Sequence, residues 1–209
     1  MPGYLILGMT YAFAAAVQPG PFQTYLISQT LANGWRRTLP AACAPLLSDG
    51  PIIALVLLVL SRMPGWLVQV LQSAGGAFLL YLAVGAYKTW RDFDVTKAVQ
   101  TRSSRQTVLK AAMVNLLNPS PYIIWSLVLG PLLLKGWRET PVNGIALLVG
   151  FYTTMILVSL GIMVLFAAAR NLGPRVSRVL VGVSSIALAC FGIYDLWLGA
   201  GAQWWSRFH

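Results

Sequence analysis

QPGP, residues 18–21, interrupts a run from residue 4 to residue 31 that is almost wholly apolar, and no side-chain charge precedes Arg36. Each proline removes a backbone donor and clashes with the preceding turn, so an unbroken helix cannot pass through Pro19 and Pro21. In lipid, backbone groups freed in this way are tolerated only where protein or a polar cavity meets them. The break therefore predicts either a packed kink or a site. One hundred residues later the chain repeats it as NPSP, residues 118–121. Interrupted spans at corresponding places in two halves point to the binding site of a transporter.

The surroundings of both breaks are those of a membrane. The chain has 209 residues, of which 57% are hydrophobic and 10% charged, against roughly 25% charged in soluble domains. Residues 63–87, 111–134 and 140–169 contain no Asp, Glu, Lys or Arg, and each is long enough for a helix of about 20 residues to cross a bilayer. The first run is long and has no basic start, so it reads as a span and not as a cleaved signal. The reading is an all-α polytopic membrane protein with six spans, at roughly 4–31, 39–61, 65–89, 108–134, 142–169 and 176–199. Asn33-Gly34, Pro64-Gly65, Pro141 and Gly173-Pro174 supply the stops and starts, and irregularity is expected around Pro45 and Pro51.

The net charge of +10 does not mark a nucleic-acid protein, because the basic residues cluster in the loops between spans. The first, third and fifth connections hold eleven Lys and Arg and the opposite side holds four. Basic loops stay cytoplasmic, which puts both termini outside, on the periplasmic side of a bacterial inner membrane. Trp204 and Trp205 suit the outer interface. Cys43 and Cys190 lie in apolar runs, where small buried hydrophobes are the expectation.

The chain also repeats itself. QPGPF at 18–22 faces NPSPY at 118–122, GWRRTLP at 34–40 faces GWRETP at 136–141, and GAYKTW at 85–90 faces GIYDLW at 192–197. Each half holds three spans, an odd number, so the second half enters the membrane upside down, a 3+3 inverted repeat. The whole chain, 1–209, reads as a single transmembrane domain: repeat A at about 1–90, a cytoplasmic linker at about 91–107, and repeat B at about 108–209. The first and fourth spans are the ones broken at Pro-X-Pro.

Candidate binding residues gather at the breaks. Helices restarting after Pro21 and Pro121 carry unpaired N–H groups and about half a positive charge at their starts. Brought together by the pseudo-two-fold, they can hold an anionic group such as a carboxylate. Gln18, Pro19, Gly20, Pro21 and Gln23 form the first half of this substrate-binding set; Asn115, Asn118, Pro119, Ser120 and Pro121 form the second. The competing reading is a pair of structural kinks. Asp49, near the middle of the second span, reads as the only acid deep in any span. A charged Asp at the bilayer centre costs about 2.5–3.5 kcal/mol even on the lenient insertion scale. It must face a polar interior, be protonated or be paired, so it is the candidate for proton coupling or for a substrate ammonium. Tyr152, Thr153 and Thr154 mirror Asp49 in the second half and can line the same cavity or serve as polar glue between helices. Lys88 and Asp195, near span ends, read as interfacial or snorkelling residues. The sole histidine is His209, and no catalytic, metal-binding, cofactor-binding or nucleotide motif occurs.

The chain resembles the lysine/threonine/homoserine exporter (LysE/RhtB-type) family over nearly its whole length. The resemblance rests on PGP at 19–21, NGWRR at 33–37, the Asp49 region, GGAFLLYLAVGAYKTWR at 75–91 and VNLLNPSPY at 114–122. The chain departs from that pattern at Pro40, Ala42 and Pro45, where glycines are common, and at Ser120, where a lysine is usual. The resemblance implies export of small solutes, typically amino acids, coupled to the proton gradient, with a homodimer as the analogous assembly. Two rivals remain from the residues alone. One is a transmembrane thiol/electron carrier using Cys43 and Cys190; the other is a passive small-solute channel.

Overall fold

A computed structural model describes residues 2–18, 20–59, 65–91, 104–170 and 173–205. Pro19, Arg62, Pro64, most of the 91–107 linker and His209 lie outside the described residues, as do the side chains of Trp204 and Trp205. All described elements are helical. In chain order they are α1 (Pro2–Val17), α2 (Pro21–Asn33), α3 (Trp35–Thr38), a 3-10 turn (Leu39–Cys43), α4 (Ala44–Val59) and α5 (Gly65–Arg91). After the linker come α6 (Ser104–Leu117), α7 (Pro119–Ile124), a π-helical segment (Trp125–Leu129), α8 (Gly130–Glu139), α9 (Pro141–Arg170) and α10 (Pro174–Trp205).

The local sequence explains most of the boundaries. Helices α1, α2, α7, α9 and α10 all begin on proline, whose missing N–H is unneeded in the first turn and whose fixed φ suits it. Gly34, at φ 84°, turns the chain between α2 and α3 in a conformation that side chains resist. Among the described residues, four helical stretches are long and apolar enough to cross a membrane: Trp35–Val56, Gln69–Arg91, Pro141–Ala169 and Arg178–Gly199. A fifth follows if the pair Ser104–Leu117 and Pro119–Glu139, bent by 56° at Asn118, counts as one span. Helix α1 has 16 residues and rises about 24 Å, short of a hydrocarbon core of about 30 Å. Large apolar side chains such as Leu127, Leu165, Ile186 and Trp197 point outward from the bundle, as they do where the solvent is lipid.

Three local readings need correction. In the second span the irregularity precedes Pro45: the 3-10 turn ends at Cys43, and α4 then runs as α-helix through Pro51. Pro51 lies inside α4, in its third turn, where it withholds the N–H that would otherwise bond the Leu47 carbonyl. At the second break the helix restarts at Pro119 and not after Pro121, so both prolines fall within its first turn. Cys43 and Cys190 are both exposed, not buried.

Small residues set the helix pairings. Helix α1 packs along α9, and α5 along α10. A Cβ at Gly8 would collide with the Leu147 carbonyl, and one at Gly150 with the Leu5 carbonyl. At the other pair, a Cβ on Gly76 would sit 2.7 Å from the Gly192 carbonyl oxygen, and one on Gly192 would sit 2.9 Å from that of Gly76. Helices in lipid gain nothing from hydrophobic exclusion between themselves, so they associate through such close backbone approach. Helix α2 lies inside the bundle against α10, α9 and α6. Its residues 22–26 and 28–31 are all buried, including Gln23, Thr24, Ser28, Gln29 and Thr30. A helix this polar and this enclosed is held as the centre of the fold and not presented to lipid.

Candidate binding cavity

A cavity of about 420 Å³ opens where the two helix breaks meet. From the first break it is lined by Gln18, Gly20, Pro21 and Gln23; from the second by Asn118, Pro119, Ser120 and Pro121. Asn115 of α6 and Asp49 of α4 complete the expected set. Every described residue of the substrate-binding set, together with Asp49, therefore borders one space, whereas Tyr152, Thr153 and Thr154 do not line it. Phe22 from one apolar cluster, and Trp125 and Phe151 from the other, form its greasy walls.

The two breaks are chemically unlike. Gly20 caps α2 with extended backbone (φ −129°, ψ 177°) and offers no side-chain acceptor, so the N–H groups of Phe22 and Gln23 have no acceptor within their own helix. At the second break, Asn118 turns its own side chain back, and Oδ1 accepts from the Ser120 N–H at 3.0 Å. That is an ordinary N-cap, and α7 runs for only six residues before the π-helical segment. The freed carbonyls are met locally as well: Asn118 N donates to Asn115 O at 3.3 Å, and Tyr122 Oη donates to Leu116 O at 2.9 Å. The open helix start is α2. The picture of two equivalent N-termini is corrected accordingly.

Asp49 is 3% exposed and is held from three sides. Asn115 Nδ2 donates to Asp49 Oδ1 at 2.7 Å and to Ser48 Oγ at 2.7 Å. Tyr152 Oη of α9 donates to Asp49 Oδ2 at 3.3 Å, and the Trp125 side chain reaches the same carboxylate. The π-helical segment that begins at Trp125 adds a residue to the turn; the Gly130 N–H closes it on the Trp125 carbonyl. Such insertions re-aim side chains and gather at functional sites. Phe151 stacks edge-on against Trp125 at 5.6 Å and fixes its plane. Elsewhere, Gln23 Nε2 donates to Ser159 Oγ at 3.2 Å, while Gln23 Oε1 is buried without a partner.

Asp195 departs from the interfacial reading. It is 9% exposed, lines the same cavity and faces inward from α10, four residues before the end of the apolar stretch at Gly199, so a second acid besides Asp49 borders the cavity. Lys88, its counterpart in the repeat, is exposed as expected. Gln72 and Tyr194 also border the cavity and were not foreseen. The available signal was spacing: Gly192, Asp195 and Gly199 stand at i, i+3 and i+7, on one helical face. A residue between two close-approach glycines faces its neighbour helix, not the interface.

A bundle of membrane-length helices broken around a cavity that carries buried carboxylates is the build of a membrane translocator. The chain belongs to the LysE type translocator family, whose model matches residues 13–198, and it is a translocator of small solutes. No curated protein and no solved structure matches it.

Proposed function

We propose that this protein is a secondary exporter of amino acids, driven by the proton gradient across a bacterial inner membrane. The observation that carries the reading is the cavity itself: both breaks, the open start of α2 and the restrained carboxylate of Asp49 border one space. In this reading the solute carboxylate meets the Phe22 and Gln23 N–H groups, where the helix dipole favours an anion. Gln18, Asn118 and Ser120 supply further hydrogen bonds, and Asp49 carries the coupled proton.

The two halves act as inverted three-span repeats, with α1 and α2 in series forming the first span and α6 to α8 the fourth. Three features support this: the ordered sequence repeats, the matched helix interruptions and the shortness of α1 alone. Rocking of one half against the other would expose the cavity to each side in turn. The excess of basic residues in alternate loops supports termini on the outer side, and a homodimer is the assembly expected by analogy. The thiol-carrier alternative loses support because Cys43 and Cys190 are both exposed and neither borders the cavity.

The test is efflux from proteoliposomes loaded with individual amino acids, with and without an imposed proton gradient. Saturable efflux that collapses with the gradient is the expected outcome. Non-saturating flux indifferent to the gradient would identify a passive channel. No flux of any amino acid would remove the substrate assignment.

A further inference from the structure

Among the described residues, two buried side-chain atoms find no hydrogen-bond partner, Gln23 Oε1 and Thr30 Oγ1. Both belong to α2, the helix enclosed by α10, α9 and α6. Seven residues separate them, two turns of helix, so they stand on one face about 10.5 Å apart along the axis. Gln23 borders the cavity; Thr30 is wholly buried and does not border it. Thr30 is the more telling of the two. Other helical threonines of this protein bond back to their own helix: Thr10 Oγ1 donates to Ile6 O at 2.8 Å, Thr38 Oγ1 to Gly34 O at 3.1 Å and Thr89 Oγ1 to Gly85 O at 3.0 Å. Thr30 forgoes that bond, and its hydroxyl has neither a protein partner nor open solvent. A buried hydroxyl left in this way is costly, and the cost is relieved only where water or another polar group reaches it.

What lies between the two atoms is apolar. Leu26, three residues after Gln23 and four before Thr30, shares their face and is fully buried. It belongs to the cluster that includes Met163 of α9 and Leu188 of α10. Beyond Thr30, Asn33 Nδ2 donates to Gln29 Oε1 at 2.8 Å, and the chain turns at Gly34 toward Arg36 and Arg37. The polar stripe of α2 leads from the cavity toward the first basic loop and is interrupted by a packed leucine.

We propose that Thr30 lines the translocation path between the cavity and the side of the basic loops, closed here at Leu26, and that its hydroxyl bonds water and the passing solute when Leu26 withdraws. Two turns of helix are too long for one water to bridge, so the open path holds a file of waters with Gln23 at its inner end. In the closed arrangement the unmet hydroxyl works against packing; in the open one it is hydrated. It therefore narrows the free-energy gap between two arrangements that an all-apolar face would leave locked shut. The inference rests on the exporter reading for what moves along the path, but two of its three measurements need no solute.

The experiment uses the full-length protein with Cys43 and Cys190 replaced by Ser. In detergent, Thr30→Cys should react with the small cationic reagent 2-aminoethyl methanethiosulfonate at least tenfold faster than Leu31→Cys, whose side chain is just as buried but is turned about 100° around the helix. Thr30→Val, which keeps the shape and removes the hydroxyl, should raise the melting temperature by about 2–4 °C and slow efflux from proteoliposomes at least threefold. Thr30→Ser should leave both at the parental values. Equal labelling of the two cysteine variants, or of neither, would overturn the inference. So would parental efflux in Thr30→Val, or a Thr30→Val protein that melts lower than the parent or fails to fold. If the parent moves no amino acid, the exporter reading falls alone, and the labelling contrast and the melting temperatures still decide the role of Thr30.

Discussion

Asn115 of α6 donates its side-chain amide to Asp49 of α4 across 2.7 Å, joining residues 66 positions apart. The same nitrogen also donates to Ser48 Oγ at 2.7 Å. Asn115 sits three residues before Asn118, where its helix breaks, so the helix that is interrupted is also the one that holds the central carboxylate. This contact couples the geometry of the second break to the acid of the other half.

Removing that donor should be felt as instability. Asn115→Leu strands a carboxylate oxygen in a buried place, which costs about 1–3 kcal/mol. Ser48→Ala should cost far less, about 0.6 kcal/mol, the average for a hydrogen bond between membrane helices. Thermal unfolding in detergent should rank the two variants in that order. Equal melting temperatures would mean that Asn115 does not restrain Asp49.

Asp49→Asn keeps the shape of the side chain and removes its ability to exchange a proton. The expected outcome is loss of gradient-driven efflux by at least tenfold, with a monodisperse and normally folded protein. Exchange of solute across the membrane without a gradient should survive better than net efflux. Unchanged efflux in this variant would take Asp49 out of the mechanism.

Gly76 and Gly161 separate packing from propensity. A methyl group on Gly76 would stand 2.7 Å from the Gly192 carbonyl oxygen and 2.8 Å from the Leu196 nitrogen, both backbone atoms that cannot rotate away. Gly76→Ala should therefore part α5 from α10 and cost about 1–3 kcal/mol. At Gly161 the same methyl group meets nothing within 4 Å, and Gly161→Ala should be neutral or stabilise the helix by up to about 1 kcal/mol. The melting temperatures of the two variants should move apart, with only Gly76→Ala below the parent.

The double variant Cys43→Ser/Cys190→Ser should export at the parental rate, because both thiols are exposed and neither reaches the cavity. A rate reduced tenfold, restored by either single cysteine, would revive thiol chemistry.

Membrane residence and the family could both be read from the chain, for a physical reason. Hydropathy, proline and glycine act over a few residues, and each constrains the backbone wherever it occurs. Asp49 stood out for the same reason: an acid amid sixteen residues of α4 that are otherwise apolar or small demands an explanation before any fold is known. The inequality of the breaks was beyond this reach, because whether Asn118 caps its own helix or offers its oxygen to a solute depends on one side-chain rotation. So was the aim of Trp125, which is set by a π-helical turn that no local residue pattern announces.

Asp195 shows the division most plainly. Its distance along α10 from the end of the apolar run suggested the interface, and only the clamp between Gly76 and Gly192 turns it inward. Sequence determines what a segment can tolerate around it; packing against a partner helix selects which of its faces looks into the cavity. The chain alone therefore announced an acid-bearing membrane bundle, and the assembled helices brought two of its carboxylates, Asp49 and Asp195, to one chamber.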